Sequence, residues 1–176
     1  MSDNLIVYYS RSGTARQVAE VIAIHTGWVL AEVRDRTPRA GLSGDVRCVL
    51  DMVFHRMPAY EYVGPKLDAC RNVVVVAPVW LGRLAAPMRS FLHDHAPFPG
   101  TLSAVCVMAA RGGFRAEEDI VRLTGKTPEP ALALRQRDVQ SGEAMDSLEA
   151  FATALRTRPA EPGPVLRPVW ISPKEV

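Results

Sequence analysis

The chain has 176 residues, of which 48% are hydrophobic, and a formal net charge of +2. This length predicts one domain with a substantial core, and the composition excludes a disordered chain, a collagen and a coiled coil. Basic and acidic residues are spread along the chain, which argues against a nucleic-acid binder and against a strongly acidic electron shuttle.

The apolar runs and the cysteines indicate a cytoplasmic protein. We predict no membrane span, because no apolar run is long enough to cross a bilayer and no signal segment opens the chain. The three cysteines, Cys48, Cys70 and Cys106, are odd in number, far apart and set among apolar neighbours. We interpret them as reduced core residues and not as a disulfide or metal set.

The first third of the chain predicts two units of strand and helix. The apolar run at residues 5–9 predicts a buried strand, and a helical pattern follows it. Residues 28–33 predict a second strand, and a helix capped by Ser43 follows as far as about Arg56. Residues 58–65 include two prolines and a glycine and predict a loop.

The middle of the chain predicts a third unit and a fourth strand. Residues 72–77 contain four consecutive valines, a run typical of a central parallel strand that is covered on both faces. Residues 78–82 predict a turn, and Pro87 suits the first position of the next helix. Residues 102–108 predict another apolar strand, which ends in a loop at residues 109–114.

The last third predicts one more strand between two helices. Glu117 and Glu118 suit the first turn of a helix, where negative charge is favoured, and Gly125 suits its end. Residues 131–136 predict a short fifth strand, and Ser141 is expected to cap the final helix.

Five strands that alternate with five helices predict an α/β fold with a doubly wound parallel sheet, since parallel strands need right-handed crossovers. We assign this domain to residues 1–157. Residues 158–176 carry five prolines and form a Pro-rich tail that cannot be a helix. We expect residues 169–171, which include a tryptophan, to anchor the tail on the body or on a second subunit.

The loop after the first strand has the composition of a phosphate site. Ser10, Arg11, Ser12, Gly13 and Thr14 lie between the strand and the start of the helix. A helix N-terminus offers unpaired N–H groups and the positive end of the macrodipole, and hydroxyl groups add further donors. The alternative is that Ser12 and Thr14 only cap the helix.

Three loops together resemble those of the flavodoxin-like flavoproteins, over roughly residues 4–156. Ser10-Arg11-Ser12-Gly13-Thr14-Ala15 is similar to the family's FMN phosphate loop. Pro78-Val79-Trp80-Leu81-Gly82 resembles the loop that lines one face of the flavin ring, and Arg111-Gly112-Gly113 resembles the segment around the pyrimidine edge of the ring. These residues are therefore the expected cofactor site.

The resemblance implies a sheet of order 2-1-3-4-5 with helices on both faces, in which the three loops meet at the carboxyl ends of the strands. Trp80 would stack on the ring, and the backbone N–H groups of the two glycine-bearing loops would reach its polar edge. Arg111 is either a solvated charge or a cation beside the ring. One position departs from the family. The phosphate loop of the family ends with a residue that carries a hydroxyl group, and this chain has Ala15 there.

For function, the resemblance implies an FMN-dependent oxidoreductase that takes a hydride from NAD(P)H and passes electrons to a quinone or a similar acceptor. No side chain is needed as an acid or base, so no catalytic residue is assigned. Such reductases often pair, which leaves a homodimer open. Three alternatives remain: a cofactor-free binding or structural module, a flavodoxin-like protoporphyrinogen oxidase, and a site for another phosphate ligand such as a nucleotide.

Overall fold

Seven strands and five helices lie in the part of the chain that the computed structural model describes, which is residues 3–36, 57–67, 70–98, 100–109 and 113–158. The strands are β1 (Asn4–Tyr8), β2 (Val29–Asp35), β3 (Tyr60–Val63), β4 (Asn72–Trp80), β5 (Arg83–Leu84), β6 (Thr101–Met108) and β7 (Ala131–Arg135). The helices are α1 (Thr14–Thr26), α2 (Ala86–Asp94), α3 (Gly113–Thr124), α4 (Gln136–Ser141) and α5 (Met145–Thr157).

All of these strands belong to one sheet, of order β3-β2-β1-β4-β6-β7, with β5 paired to β4. The five central strands β2-β1-β4-β6-β7 run parallel, whereas β3 and β5 are antiparallel to their neighbours. The predicted order of the five parallel strands is confirmed. The chain changes direction across the sheet between β1 and β4, and ligands bind at such a switch point in doubly wound folds.

Alternate residues of the central strands pack into two separate cores, one on each face of the sheet. Val73 and Val75 of β4 belong to the core beneath α2 and α3, and Val74 and Val76 belong to the core beneath α1 and α5. The unbroken valine run is therefore explained by burial on both faces.

Two segments predicted as loops contain strands. Within residues 58–65, Tyr60–Val63 forms β3 at the edge of the sheet, antiparallel to β2. Within residues 78–82, β4 continues to Trp80, and only Leu81 and Gly82 form the turn before β5. The proline at position 78 is accommodated because β1 has already ended beside β4, and the Pro78 carbonyl accepts a hydrogen bond from the Ala85 N–H at 3.0 Å.

The predicted helix boundaries were wrong at two N-termini. Helix α3 begins at Gly113, so Glu117 and Glu118 lie beyond its first turn. Ser141 ends the short helix α4 and does not cap α5, which begins at Met145. The end of α3 is as predicted, since Gly125 has φ = 70° and donates its N–H to the Val121 carbonyl.

The cysteines in the described ranges are core residues, as predicted. Cys70 and Cys106 are buried free thiols, and burial raises the pKa of Cys106 to about 12. Cys48, the helix predicted from Ser43 and the tail beyond residue 158 lie outside the described residues. Within those ranges, no helix combines the length and the apolar character that a membrane crossing requires.

Candidate functional site

A cleft of about 660 Å³ crosses the carboxyl ends of the five parallel strands. This volume falls in the range of small-molecule and cofactor sites, and the location is the one expected for a ligand in a doubly wound sheet. The lining residues follow or end each strand in turn: Tyr9, Ser10, Arg11, Ser12, Thr14 and Ala15 after β1; Glu32, Val33, Arg34 and Asp35 on β2; Pro78, Val79 and Trp80 on β4; Val107 and Ala109 at the end of β6; and Gln136 after β7.

The loop after β1 turns sharply into α1 and presents hydroxyl groups to the cleft. Gly13 adopts φ = 90°, a left-handed conformation that favours glycine, and donates its N–H to the Ser10 Oγ at 3.1 Å. The Ser12 and Thr14 hydroxyl oxygens lie 3.5 Å apart. Two hydroxyl groups are thus clustered at the start of the helix.

The first turn of α1 adds backbone donors to these hydroxyl groups. The first bond within the helix joins the Gln17 N–H to the Gly13 carbonyl at 2.9 Å. The N–H groups of residues 14–16 precede that bond, and Gly13 has no side chain with which to cap them. The loop therefore has the donor set of an anion site at a helix N-terminus.

The two arginines of this region differ in placement. Arg11 lines the cleft beside the hydroxyl groups. Arg16 instead forms an exposed ion pair with Glu20, 2.8 Å from Nε to Oε1, and this hydrogen bond raises the pKa of Arg16. Of these two arginines, Arg11 is thus the one that lines the cleft.

Trp80 forms an aromatic wall of the cleft at the end of β4. Its ring meets the ring of Tyr9 edge to face, with centroids 5.9 Å apart and planes at 79°. The Tyr9 hydroxyl in turn donates to Asp35 Oδ2 at 2.6 Å, and Tyr9 itself is buried. This chain of contacts fixes the position of Trp80 relative to the ends of β1 and β2.

The β2 side of the cleft is charged. Arg34 donates to Glu32 across 2.6 Å, a bond that raises the pKa of the Arg34 guanidinium. Asp35 adds a second carboxylate beside Tyr9. The cleft thus has hydroxyl groups and a helix N-terminus at one end, an aromatic and aliphatic wall, and charged residues along the β2 side.

The structure brings together most of the residues predicted for the site and separates a few. The predicted residues that line the cleft are Ser10, Arg11, Ser12, Thr14, Ala15, Pro78, Val79 and Trp80. Gly13 shapes the loop without lining the cleft, and Leu81 and Gly82 form the turn beyond Trp80. Gly113 begins α3, and Arg111 and Gly112 lie outside the described residues.

Sequence reasoning did not predict Tyr9, the end of β2 or Gln136 as part of the site. A usable signal was present in each case, because residues that follow parallel strands meet at one edge of the sheet. The charged run at residues 34–36 directly follows the predicted second strand, at residues 28–33, and was not assigned to the site. Its pairing with Tyr9 joins residues 26 positions apart, which local patterns do not predict.

Solved structures of flavoproteins share this architecture. A flavoprotein from Lactobacillus acidophilus in complex with FMN is 17% identical, with a TM-score of 0.65, over 81% of this chain and 98% of that chain. Flavodoxin 2 from Bacillus cereus is 16% identical, with a TM-score of 0.56, over 88% of this chain and 98% of that chain. An NAD(P)H:quinone oxidoreductase from Methanothermobacter marburgensis is 11% identical, with a TM-score of 0.55, over 90% and 99%.

No family model matches the sequence, and no curated protein matches it. At identities of 11% to 17%, the likeness to solved structures concerns the arrangement of the backbone. Together with the strand order and the helices on both faces of the sheet, it establishes that this chain has the flavodoxin-like fold.

Proposed function

We propose that the protein binds FMN in this cleft and works as an oxidoreductase that passes electrons from NAD(P)H to a quinone or a similar acceptor. One observation supports this most directly: the hydroxyl loop at the start of α1 and the aromatic wall at Trp80 line the same cleft. A phosphate donor set and a flat apolar wall are the two features that FMN requires of a site.

The loop end of the cleft suits the phosphate of FMN. Ser12 and Thr14 offer hydroxyl donors, the first turn of α1 offers N–H donors, and Arg11 offers positive charge. Each of these groups forms a stronger hydrogen bond with a charged acceptor than with a neutral one. We assign the phosphate to this end, as the resemblance implies.

The wall at the end of β4 suits the ring. Trp80 and Val79 provide aromatic and aliphatic surface, and Tyr9 supports Trp80 from the β1 side. Bound FMN supplies the redox chemistry, and the side chains bind, orient and shield it. No acid or base is assigned to the protein.

The first test is FMN binding by the purified protein. Emission of FMN should be quenched at micromolar protein, because Trp80 would lie against the ring. The double change Ser12→Ala, Thr14→Ala should weaken binding at least about tenfold, since a hydrogen bond to a charged group contributes about 1.5–3 kcal/mol.

A matched control removes one serine and one threonine hydroxyl from α5 by Ser147→Ala, Thr153→Ala, and it should bind FMN as the unchanged protein does. Unquenched emission, or equal affinity in the two double variants, contradicts the proposal. Steady oxidation of NAD(P)H by the FMN-loaded protein then separates a reductase from an electron carrier.

A cofactor-free binding module is the second candidate, and Ala15 favours it. This residue lines the cleft at a position where the resembled family has a hydroxyl. Protein that is purified without a yellow colour and does not take up FMN would support this candidate and exclude the first.

A further inference from the structure

A second, smaller pocket lies beside the β4–β5 hairpin, between β5 and α3. It has a volume of about 230 Å³ and is lined by Arg83 of β5 and by Arg115, Glu118, Asp119 and Arg122 of α3. The α3 residues are three or four positions apart or adjacent, so they share one face of the helix. Three arginines therefore converge on one cavity.

A buried carboxylate organises two of these arginines. Asp119 is 2% exposed, and its Oδ2 accepts the Leu84 N–H at 3.3 Å. Its Oδ1 accepts from Arg83 at 3.0 Å and from Arg122 at 2.6 Å. The carboxylate thus holds β5 to α3 and fixes two guanidinium groups at the rim of the pocket.

The pocket retains unused donors and positive charge. Each guanidinium carries five N–H donors, and Asp119 takes up one from Arg83 and one from Arg122. Arg115 has no hydrogen-bond or ion-pair partner within the described ranges, and Glu118 has none there either. The pocket thus holds three arginines and two carboxylates, and one of these carboxylates, Asp119, is already paired with two of the arginines. This excess of positive charge favours an anionic ligand.

The hairpin places this pocket next to the cleft. Trp80, which lines the cleft, pairs directly across the two-residue turn with Arg83, which lines the pocket. A ligand that extends from the cleft past Trp80 would therefore meet Arg83 and the other arginines of the pocket. Several forked donors around one cavity match the terminal oxygens of a phosphate monoester.

We propose that the arginine pocket binds a phosphate monoester, and that this group is the 2′-phosphate of NADPH. The second part rests on the proposed function, since it makes NADPH the preferred electron donor over NADH. Arginine is the residue that accommodates this phosphate in other dinucleotide sites. The nicotinamide and the 2′-phosphate lie at opposite ends of the dinucleotide, so the molecule would extend from the cleft past Trp80 to the pocket at Arg83.

Calorimetric titration with inorganic phosphate, adenosine 2′-monophosphate and adenosine tests the pocket. Arg115→Ala is the informative variant, because Arg83 and Arg122 also hold Asp119 and their loss would disturb the fold. It should weaken binding of both phosphate compounds about tenfold and leave adenosine unchanged. Arg156→Ala, which removes an exposed arginine from α5, is the matched control and should bind as the unchanged protein does.

The Ser12→Ala, Thr14→Ala variant separates this pocket from the cleft. It should bind FMN at least about tenfold more weakly and keep the phosphate binding that depends on Arg115, whereas Arg115→Ala should keep FMN binding. If FMN fails to bind but Arg115 still controls phosphate binding, the proposed function falls and the pocket stands. The converse result overturns the pocket alone.

The FMN-loaded protein identifies the source of the phosphate. Arg115→Ala should lower kcat/KM for NADPH about tenfold and leave kcat/KM for NADH unchanged. Equal loss with both dinucleotides, or adenosine 2′-monophosphate bound no more tightly than inorganic phosphate, overturns the assignment to NADPH. The pocket itself is overturned if Arg115→Ala leaves the affinity for phosphate unchanged. It is also overturned if Arg156→Ala lowers that affinity as much as Arg115→Ala does.

Discussion

Ala15 is the residue at which this chain differs from the phosphate loop it resembles, and the structure shows why the position matters. It is the second residue of α1, it is 2% exposed, and it lines the cleft beside Thr14. A hydroxyl here would lie among the donors at the helix N-terminus. We therefore expect it to add to whatever affinity Ser12 and Thr14 already provide.

The pair Ala15→Thr and Ala15→Val tests this expectation. The two side chains have nearly the same shape, so they strain the buried position alike and differ by one hydroxyl. We predict that the threonine variant binds FMN about tenfold more tightly than the valine variant, since one hydrogen bond to a charged group is gained. Fluorescence titration measures the difference, and equal affinities would show that position 15 does not face the phosphate.

The residues of the loop could be predicted because their chemistry is local. Hydroxyl groups, a glycine and a helix start stand together in six positions of sequence. The contacts of Tyr9 with Asp35 and Trp80 could not be predicted in the same way. The strand order brings the ends of β1, β2 and β4 together, but no local pattern encodes which of their side chains make contact.

Among the elements, the β4–β5 hairpin links the two pockets, and its turn is strained. Leu81 has φ = 49° and Gly82 has φ = 80°, which are the positive values of a type I′ turn. Glycine tolerates this conformation, but for leucine it costs about 1–2 kcal/mol. The Leu81 side chain is 69% exposed, so core packing does not explain the choice of residue.

Leu81→Asn should therefore stabilise the protein. Asparagine adopts the left-handed region readily and is preferred before glycine in this turn. We predict that the free energy of unfolding rises by about 1 kcal/mol in Leu81→Asn, and that it falls by a similar amount in Leu81→Val, because β-branched residues fit this region poorly. Urea denaturation gives both values, and two variants of equal stability would mean that the turn is not strained at this residue.

The edge strand β3 shows the limit of reading elements from sequence. Its four residues alternate, with Tyr60 and Tyr62 packed toward Phe91 and the residues between and after them exposed. Prolines at positions 58 and 65 flank it, and they favour the prediction of a loop. The strand forms because β2 offers an open edge, and that edge exists only in the assembled sheet.

At the scale of the whole molecule, the topology could be predicted because strand and helix patterns alternate along the chain. That alternation and right-handed crossovers leave few arrangements, and resemblance to one family selected the order that the structure has. The cleft could be located for the same reason, since it follows from the topology. The extension of the cleft to β2 and β7, and the arginine pocket between β5 and α3, depend on tertiary contacts and were not predicted.

Part of the pH dependence of global stability follows from two half-buried phenols, Tyr60 and Tyr62, between the sheet edge and α2. Burial raises the pKa of Tyr60 and Tyr62 from 10.0 to about 12, and for Tyr60 the nearby Asp94 carboxylate adds to the effect. Below pH 10 both the folded and unfolded states keep these protons. Between pH 10 and 12 the unfolded chain loses them first, so rising pH shifts the equilibrium toward unfolding.

Replacing both phenols should remove their part of the loss of stability at alkaline pH. We predict that the free energy of unfolding, measured by urea denaturation from pH 8 to pH 11.5, declines less steeply above pH 10 in Tyr60→Phe, Tyr62→Phe than in the unchanged protein. A residual decline that begins near pH 9 should persist, because the buried Cys106 thiol, whose pKa rises from 9.0 to about 12, remains in both proteins. Identical slopes above pH 10 would mean that the two phenols ionise as freely in the folded protein as in the unfolded chain, and that β3 does not shield them.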